Sequence, residues 1–208
     1  MSTKTYKIIE FVLLFILLPT SFAFNYALKI KTLIAVLGFI YIIYVLVKIE
    51  NTPIKRLNLK VTAQLLKPIA VKLLLIAIAT TGFVWFTNKE LLFNVPLNNP
   101  KLWMGILFGY SIFSVYPQEL MYRTFYFYRY ANLFKNKKWL IIINALVFSL
   151  AHLLFKNTLV LIITGIGGLL FALTYNQTKS TIIVSIEHAL YGCWLFTVGM
   201  GNMLGFPS

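Results

Sequence analysis

Residues 102–123 read LWMGILFGYSIFSVYPQELMYR. From Leu102 to Val115 the run is apolar or weakly polar and carries no charge. Gln118, Glu119 and Arg123 then follow within the same segment. A charge at the bilayer centre costs about 2.5–3.5 kcal/mol on insertion scales, so such groups face the interior of a helix bundle and have partners. Four residues separate Glu119 from Arg123, which puts both on one face of an α-helix, about 40° apart. An ion pair at that spacing offsets part of the cost of burying each.

The rest of the chain supports a bilayer setting. Of its 208 residues, 60% are hydrophobic and 12% charged, and the mean hydropathy is +0.82. Soluble domains run nearer 45–50% apolar and about 25% charged, so one core could not hide this much apolar surface. A spanning helix needs roughly 20 mostly apolar residues. Seven runs qualify, near 8–24, 31–47, 69–87, 102–122, 139–155, 158–175 and 181–200. The fourth can continue to Tyr130, and an eighth, short or re-entrant piece stays open. The expected fold is an all-α polytopic bundle, with N-terminal helices and a basic loop over 1–100 and a core over 101–208. Pro68 is placed in the first turn of the third helix. Residues 1–24 resemble a signal peptide, but Glu10 interrupts the apolar run and no small-x-small cleavage site follows, so a retained first helix is expected.

The net charge of +14 reads as topology and lipid contact rather than nucleic-acid binding, because the cations lie mainly between apolar runs. Lys48, Lys55, Arg56, Lys60 and Lys67 lie between the second and third helices. Arg129, Lys135, Lys137 and Lys138 lie between the fourth and fifth. These two loops share a side, which the positive-inside rule makes cytoplasmic. Lys4 and Lys7 then place the N-terminus in the cytoplasm and seven helices leave the C-terminus outside; Lys29 and Lys31 run against this. Cys193, the one cysteine, allows no intrachain disulfide and reads as packing.

The five acids are all glutamates. Glu50 and Glu90 lie near loops and are expected to be solvated, and Glu10, near Lys7, is expected to be an interfacial structural residue. Glu119, Glu187, His152 and His188 lie in apolar segments. Asn144, Phe148 and His152 recur every four residues and make one stripe. Glu187 and His188 are about 100° apart on a helix, so they face different neighbours. His188 is expected inward, with Glu187 pairing a lysine or lining an access path. Gly165, Gly168 and Ala172 suit close helix packing. Taken together, the buried groups fit three chemistries. A Glu or neutral His can activate water while a second His bonds an oxyanion, giving amide hydrolysis without a cofactor. Glu119, His152 and His188 could instead hold zinc with one open position. Or the set could carry protons in a transporter.

The segment Gln118-Glu119-Leu120-Met121-Tyr122-Arg123 resembles the first motif of the CAAX-protease and bacteriocin-processing family of intramembrane proteases, two glutamates followed by apolar residues and an arginine. Phe148-Ser149-Leu150-Ala151-His152 resembles the second motif, and His188 with Gly192 resembles the last, a His followed four residues later by Asn or a small residue. The likeness covers roughly 103–201. It implies a glutamic-type intramembrane endopeptidase of a prokaryotic plasma membrane, acting on a membrane-anchored peptide or protein. Glu119, tuned by Arg123, and His152 would activate water, and His188 would stabilise the oxyanion. Two positions depart from the family. Gln118 replaces the first glutamate, and a carboxamide is no base at ordinary pH. Gly192 stands where some members carry Asn. A relative that keeps the scaffold for binding or immunity without hydrolysis is the rival reading.

Overall fold

The computed structural model describes residues 3–50 and 59–206, the side chains of 59–63 excepted. Among the described residues the chain is helical, without strands. Its main helices are α1 (4–21), α2 (Leu28–Ile49), α3 (Leu59–Thr87), α4 (100–119), α5 (120–130), α6 (Lys137–Leu150), α7 (Thr158–Thr178) and α8 (Thr181–Val198). Five described stretches are long and apolar enough to cross a membrane: Leu28–Ile49, Gln64–Thr87, Lys137–Phe155, Thr158–Thr178 and Thr181–Val198. The protein is a multi-pass membrane helix bundle.

Side-chain caps set several helix starts, as the sequence chemistry requires. Asn99 Oδ1 accepts from Leu102 N (3.2 Å) and precedes Pro100 at the first turn of α4. Asn136, Asn157 and Ser180 cap α6, α7 and α8 in the same way. α8 ends at Gly199, whose φ of +102° suits glycine. A Cβ there would also stand 2.1 Å from the Leu91 carbonyl oxygen.

Prolines shape the helix interiors. Pro68 lies well inside α3 rather than in its first turn, because the helix starts at Leu59; residues 59–68 are themselves helical. Pro19 and Pro117 each follow a π-wound stretch, Leu13–Leu17 and Tyr110–Val115 respectively. A proline lacks the N–H and its ring crowds the carbonyl four residues back, so the preceding turn widens.

The chain divides into two compact units, each discontinuous in sequence. The first comprises 1–55 and 120–179, and the second 56–119 and 180–208. In the first unit α6 and α7 pack closely. Gly168 is buried, and a Cβ on it would come within 3.2 Å of Ala145 backbone atoms, so this glycine serves helix contact as small residues do in lipid.

The first unit holds an ion cluster. Arg129, 1% exposed, donates from Nε to Glu10 Oε2 (2.8 Å) and from a terminal nitrogen to Glu50 Oε1 (2.8 Å). Tyr41 and Tyr130 hydroxyls also donate to Glu10, and Lys7 Nζ donates to the Arg129 carbonyl (3.0 Å). Two expectations change here. Glu50 is not a solvated loop acid, and Arg129 is not a loop cation; each is held by the other. Glu10 is structural as expected, but buried. Glu90 is exposed, as expected. Lys55, Arg56 and the Lys60 side chain lie outside the described residues.

Candidate active site

The second unit places Glu119 and His188 in contact. Glu119 lies on α4, and His188 lies about two turns into α8. Glu119 is 0% exposed and His188 6%. His188 Nδ1 lies 2.7 Å from Glu119 Oε1. With the carboxylate ionised, Nδ1 carries the proton and donates it, because a carboxylate only accepts. This leaves Nε2 as the basic nitrogen of a neutral ring. At 3.1 Å from Nε2 stands the hydroxyl of Tyr110, about two turns before Pro117 on α4.

Both neighbours Glu187 and His188 are buried, because α8 is covered on two sides. His188 turns to α4. Glu187 turns to α3, where Lys72 Nζ donates to it and the Tyr191 hydroxyl donates from the next turn (2.9 Å). The lysine expected for Glu187 is therefore Lys72. The pair neutralises a 0% exposed carboxylate with a cation that remains part-exposed, and it leaves Glu187 outside the His188 contact.

Gln118 takes a different direction from Glu119. Its Nε2 donates to Ser114 Oγ (2.7 Å) one turn earlier on α4. Gly192, on α8 one turn after His188, is buried against Tyr110. A Cβ at 192 would lie 2.1 Å from the Tyr110 hydroxyl oxygen.

The first unit holds the remaining motif residues. Arg123 is 0% exposed. Its terminal nitrogen donates to Asn144 Oδ1 (2.6 Å), and Asn144 Nδ2 donates to the Tyr122 carbonyl (2.5 Å). The guanidinium also lies 4.7 Å from the Phe148 ring centroid, a cation–π contact. Asn144 and Phe148 thus act as Arg123's packing and hydrogen-bond partners. His152 lies just past the end of α6, with φ −92° and ψ 4°, rather than on a continuous α-helical stripe. Its ring still reaches back. Nδ1 is 2.8 Å from the Phe148 carbonyl oxygen and donates to it, so Nε2 is the basic nitrogen here too.

Tyr110 and Lys72 were missed in the sequence. Tyr110 has the same spacing as the apolar aromatic residues around it, and only Gly192, eighty-odd residues on, marks the space it uses. Among the described residues, no three His, Cys, Asp or Glu side chains form a group able to hold a metal.

A family model described as Type II CAAX prenyl endopeptidase Rce1-like matches residues 100–194. That segment runs from the start of α4 to Trp194 on α8 and includes every motif residue named above. No curated protein and no solved structure matches the chain.

Proposed function

We propose that this chain, which belongs to the CAAX protease family through residues 100–194, hydrolyses a peptide bond of a membrane-anchored substrate with water activated by the Glu119–His188 pair. The observation that carries this reading is the buried 2.7 Å contact between the two residues. Glu119 fixes the tautomer and stabilises the imidazolium. Nε2 of His188 takes a proton from water as the water oxygen adds to the substrate carbonyl, and later gives it to the leaving nitrogen. The family resemblance separates these residues into a base and an oxyanion donor. The contact instead supports a joint role, and Gln118, bonded to Ser114, supplies no base. His152 enters the reading through the resemblance and through its basic Nε2. The reaction needs no metal.

The test is a prenylated CAAX peptide in liposomes carrying the purified protein. Cleavage is expected at a rate unchanged by strong chelators, with the peptide fragments identified by mass. An inert purified protein, or activity abolished by chelation and restored by zinc, overturns the reading. Gln118 is the specific observation behind the rival, a non-hydrolytic binding or immunity relative. That rival expects a deletion phenotype complemented fully by Glu119→Gln and His188→Ala, whereas hydrolysis expects neither to complement.

We further infer a cytoplasmic N-terminus. The basis is the clustering of Lys7, Glu50 and Arg129 in the first unit, read with the positive-inside rule. A reporter fused at the N-terminus should be active only in its cytoplasmic form; activity of an externally dependent reporter there reverses the orientation.

A further inference from the structure

We infer that Tyr110 supplies the hydroxyl that stabilises the oxyanion, an assignment that rests on the hydrolase reading above and adds a catalytic residue to it. Three observations meet at this side chain. Its hydroxyl oxygen lies 3.1 Å from His188 Nε2, and the two rings meet edge to face with centroids 6.0 Å apart. Phe196 also packs edge to face on the Tyr110 ring, with centroids 4.8 Å apart. A phenol packed against two rings is restrained in position, which is what a preorganised donor requires.

The second observation concerns Gly192. An added Cβ would stand 2.1 Å from the hydroxyl oxygen and 2.5 Å from two ring carbons. No side chain at 192 can coexist with Tyr110 where it lies. The missing side chain on α8 and the hydroxyl from α4 are thus two halves of one arrangement, and here the hydroxyl occupies the volume beside Nε2.

The third observation is access. Tyr110 and Ser114 line one part of an open groove of about 610 Å³ that extends along α4 to Lys101. Gly105 and Gly109 lie along it, and a Cβ on either would meet open space. Tyr110 therefore touches both the dyad and a largely apolar space open to a substrate. Ser114, which binds Gln118, lines the same space.

The chemistry follows from hydrogen-bond capacity. While Nε2 carries a lone pair, the Tyr110 O–H donates to it. A water bonded to Nε2 displaces that bond and frees the O–H for the neighbouring carbonyl oxygen. As the water oxygen bonds to the carbonyl carbon, its proton passes to Nε2 and the carbonyl π pair moves onto oxygen. Tyr110 donates to this oxyanion without losing its proton. When the C=O re-forms, the C–N bond breaks and the nitrogen takes the proton from Nε2. The hydroxyl is then returned to its first acceptor.

The experiment compares wild type with Tyr110→Phe, which keeps the ring and deletes the donor. Both are assayed in liposomes on the prenylated CAAX peptide, and against a peptide aldehyde whose hydrate mimics the tetrahedral intermediate. Loss of one such donor costs about 10²–10³-fold in kcat. The expected result is a kcat fall of that size, KM little changed, and aldehyde affinity weakened in parallel. A kcat fall below about tenfold in a wild-type background that cleaves overturns the Tyr110 assignment and leaves the hydrolase reading standing. A change confined to KM, with aldehyde affinity tracking it, also overturns it, because that marks ground-state binding. A wild type that cleaves nothing removes the hydrolase reading and this assignment together.

Discussion

Glu119→Gln is expected to lower kcat about 10²–10⁴-fold, the range spanned by positioned acid–base groups, with KM nearly unchanged. The substitution keeps size and shape, so packing is preserved at a residue that is fully buried. What changes is the choice of tautomer. A carboxylate accepts only, and therefore fixes the proton on His188 Nδ1. A carboxamide can turn its NH₂ towards Nδ1, which moves the ring proton to Nε2 and removes the base from the reacting side. His188→Ala should fall by a similar factor. The double variant should fall little further, because residues acting as one unit are strongly non-additive. Initial rates on the prenylated CAAX peptide, with melting temperature as the folding control, decide the matter. Glu119→Gln at near wild-type kcat would remove Glu119 from the chemistry. A multiplicative double variant would show that the two act separately, as the family resemblance alone implies.

The helical character and its bilayer setting were legible because hydropathy is local. The apolar runs mark the helices in a one-dimensional reading, and the structure places helices there; the caps at Asn99, Asn136, Asn157 and Ser180 emerged only with the structure. Partner choice was less legible. Nothing in the spacing of Arg129 distinguishes it from Lys135, Lys137 and Lys138. A guanidinium that reaches Glu10 and Glu50 depends on three helices meeting, which is set by packing over more than a hundred residues. Lys72 is similar, since its neighbours along α3 are apolar residues and a proline, and only Glu187 on α8 gives it a task. Pro68 misled for a physical reason. Proline favours a first turn, but a membrane helix tolerates it inside because other groups satisfy the freed carbonyl. In the candidate site, the ionisable residues announced themselves through the cost of burying charge. Tyr110 did not, because a tyrosine in an aromatic-rich apolar run costs little to place and many such residues only pack.

Arg129→Met should destabilise the protein by about 3–5 kcal/mol, the usual penalty for leaving one partner of a buried ion pair uncompensated. Methionine preserves much of the stem's packing, so the loss isolates the charge. Glu10 would keep the Tyr41 and Tyr130 hydroxyls but lose both guanidinium contacts, and Glu50 would lose its nearest cation. Part of the penalty should return in Arg129→Met combined with Glu10→Gln, because the second change removes the stranded charge. The coupling between the two changes is then large and favourable, as expected for groups in direct contact. Unfolding in mixed micelles with increasing denaturing detergent measures it. A single variant within about 1 kcal/mol of wild type would assign the cluster the low worth of exposed ion pairs. The contrast with Glu119→Gln separates the two buried charge systems: in Arg129→Met the fraction folded should fall while kcat per folded molecule holds, since Arg129, Glu10 and Glu50 have no part in the Glu119–His188 contact. A parallel loss of kcat in the folded fraction would mean that the ion cluster also sets the geometry of the reacting groups.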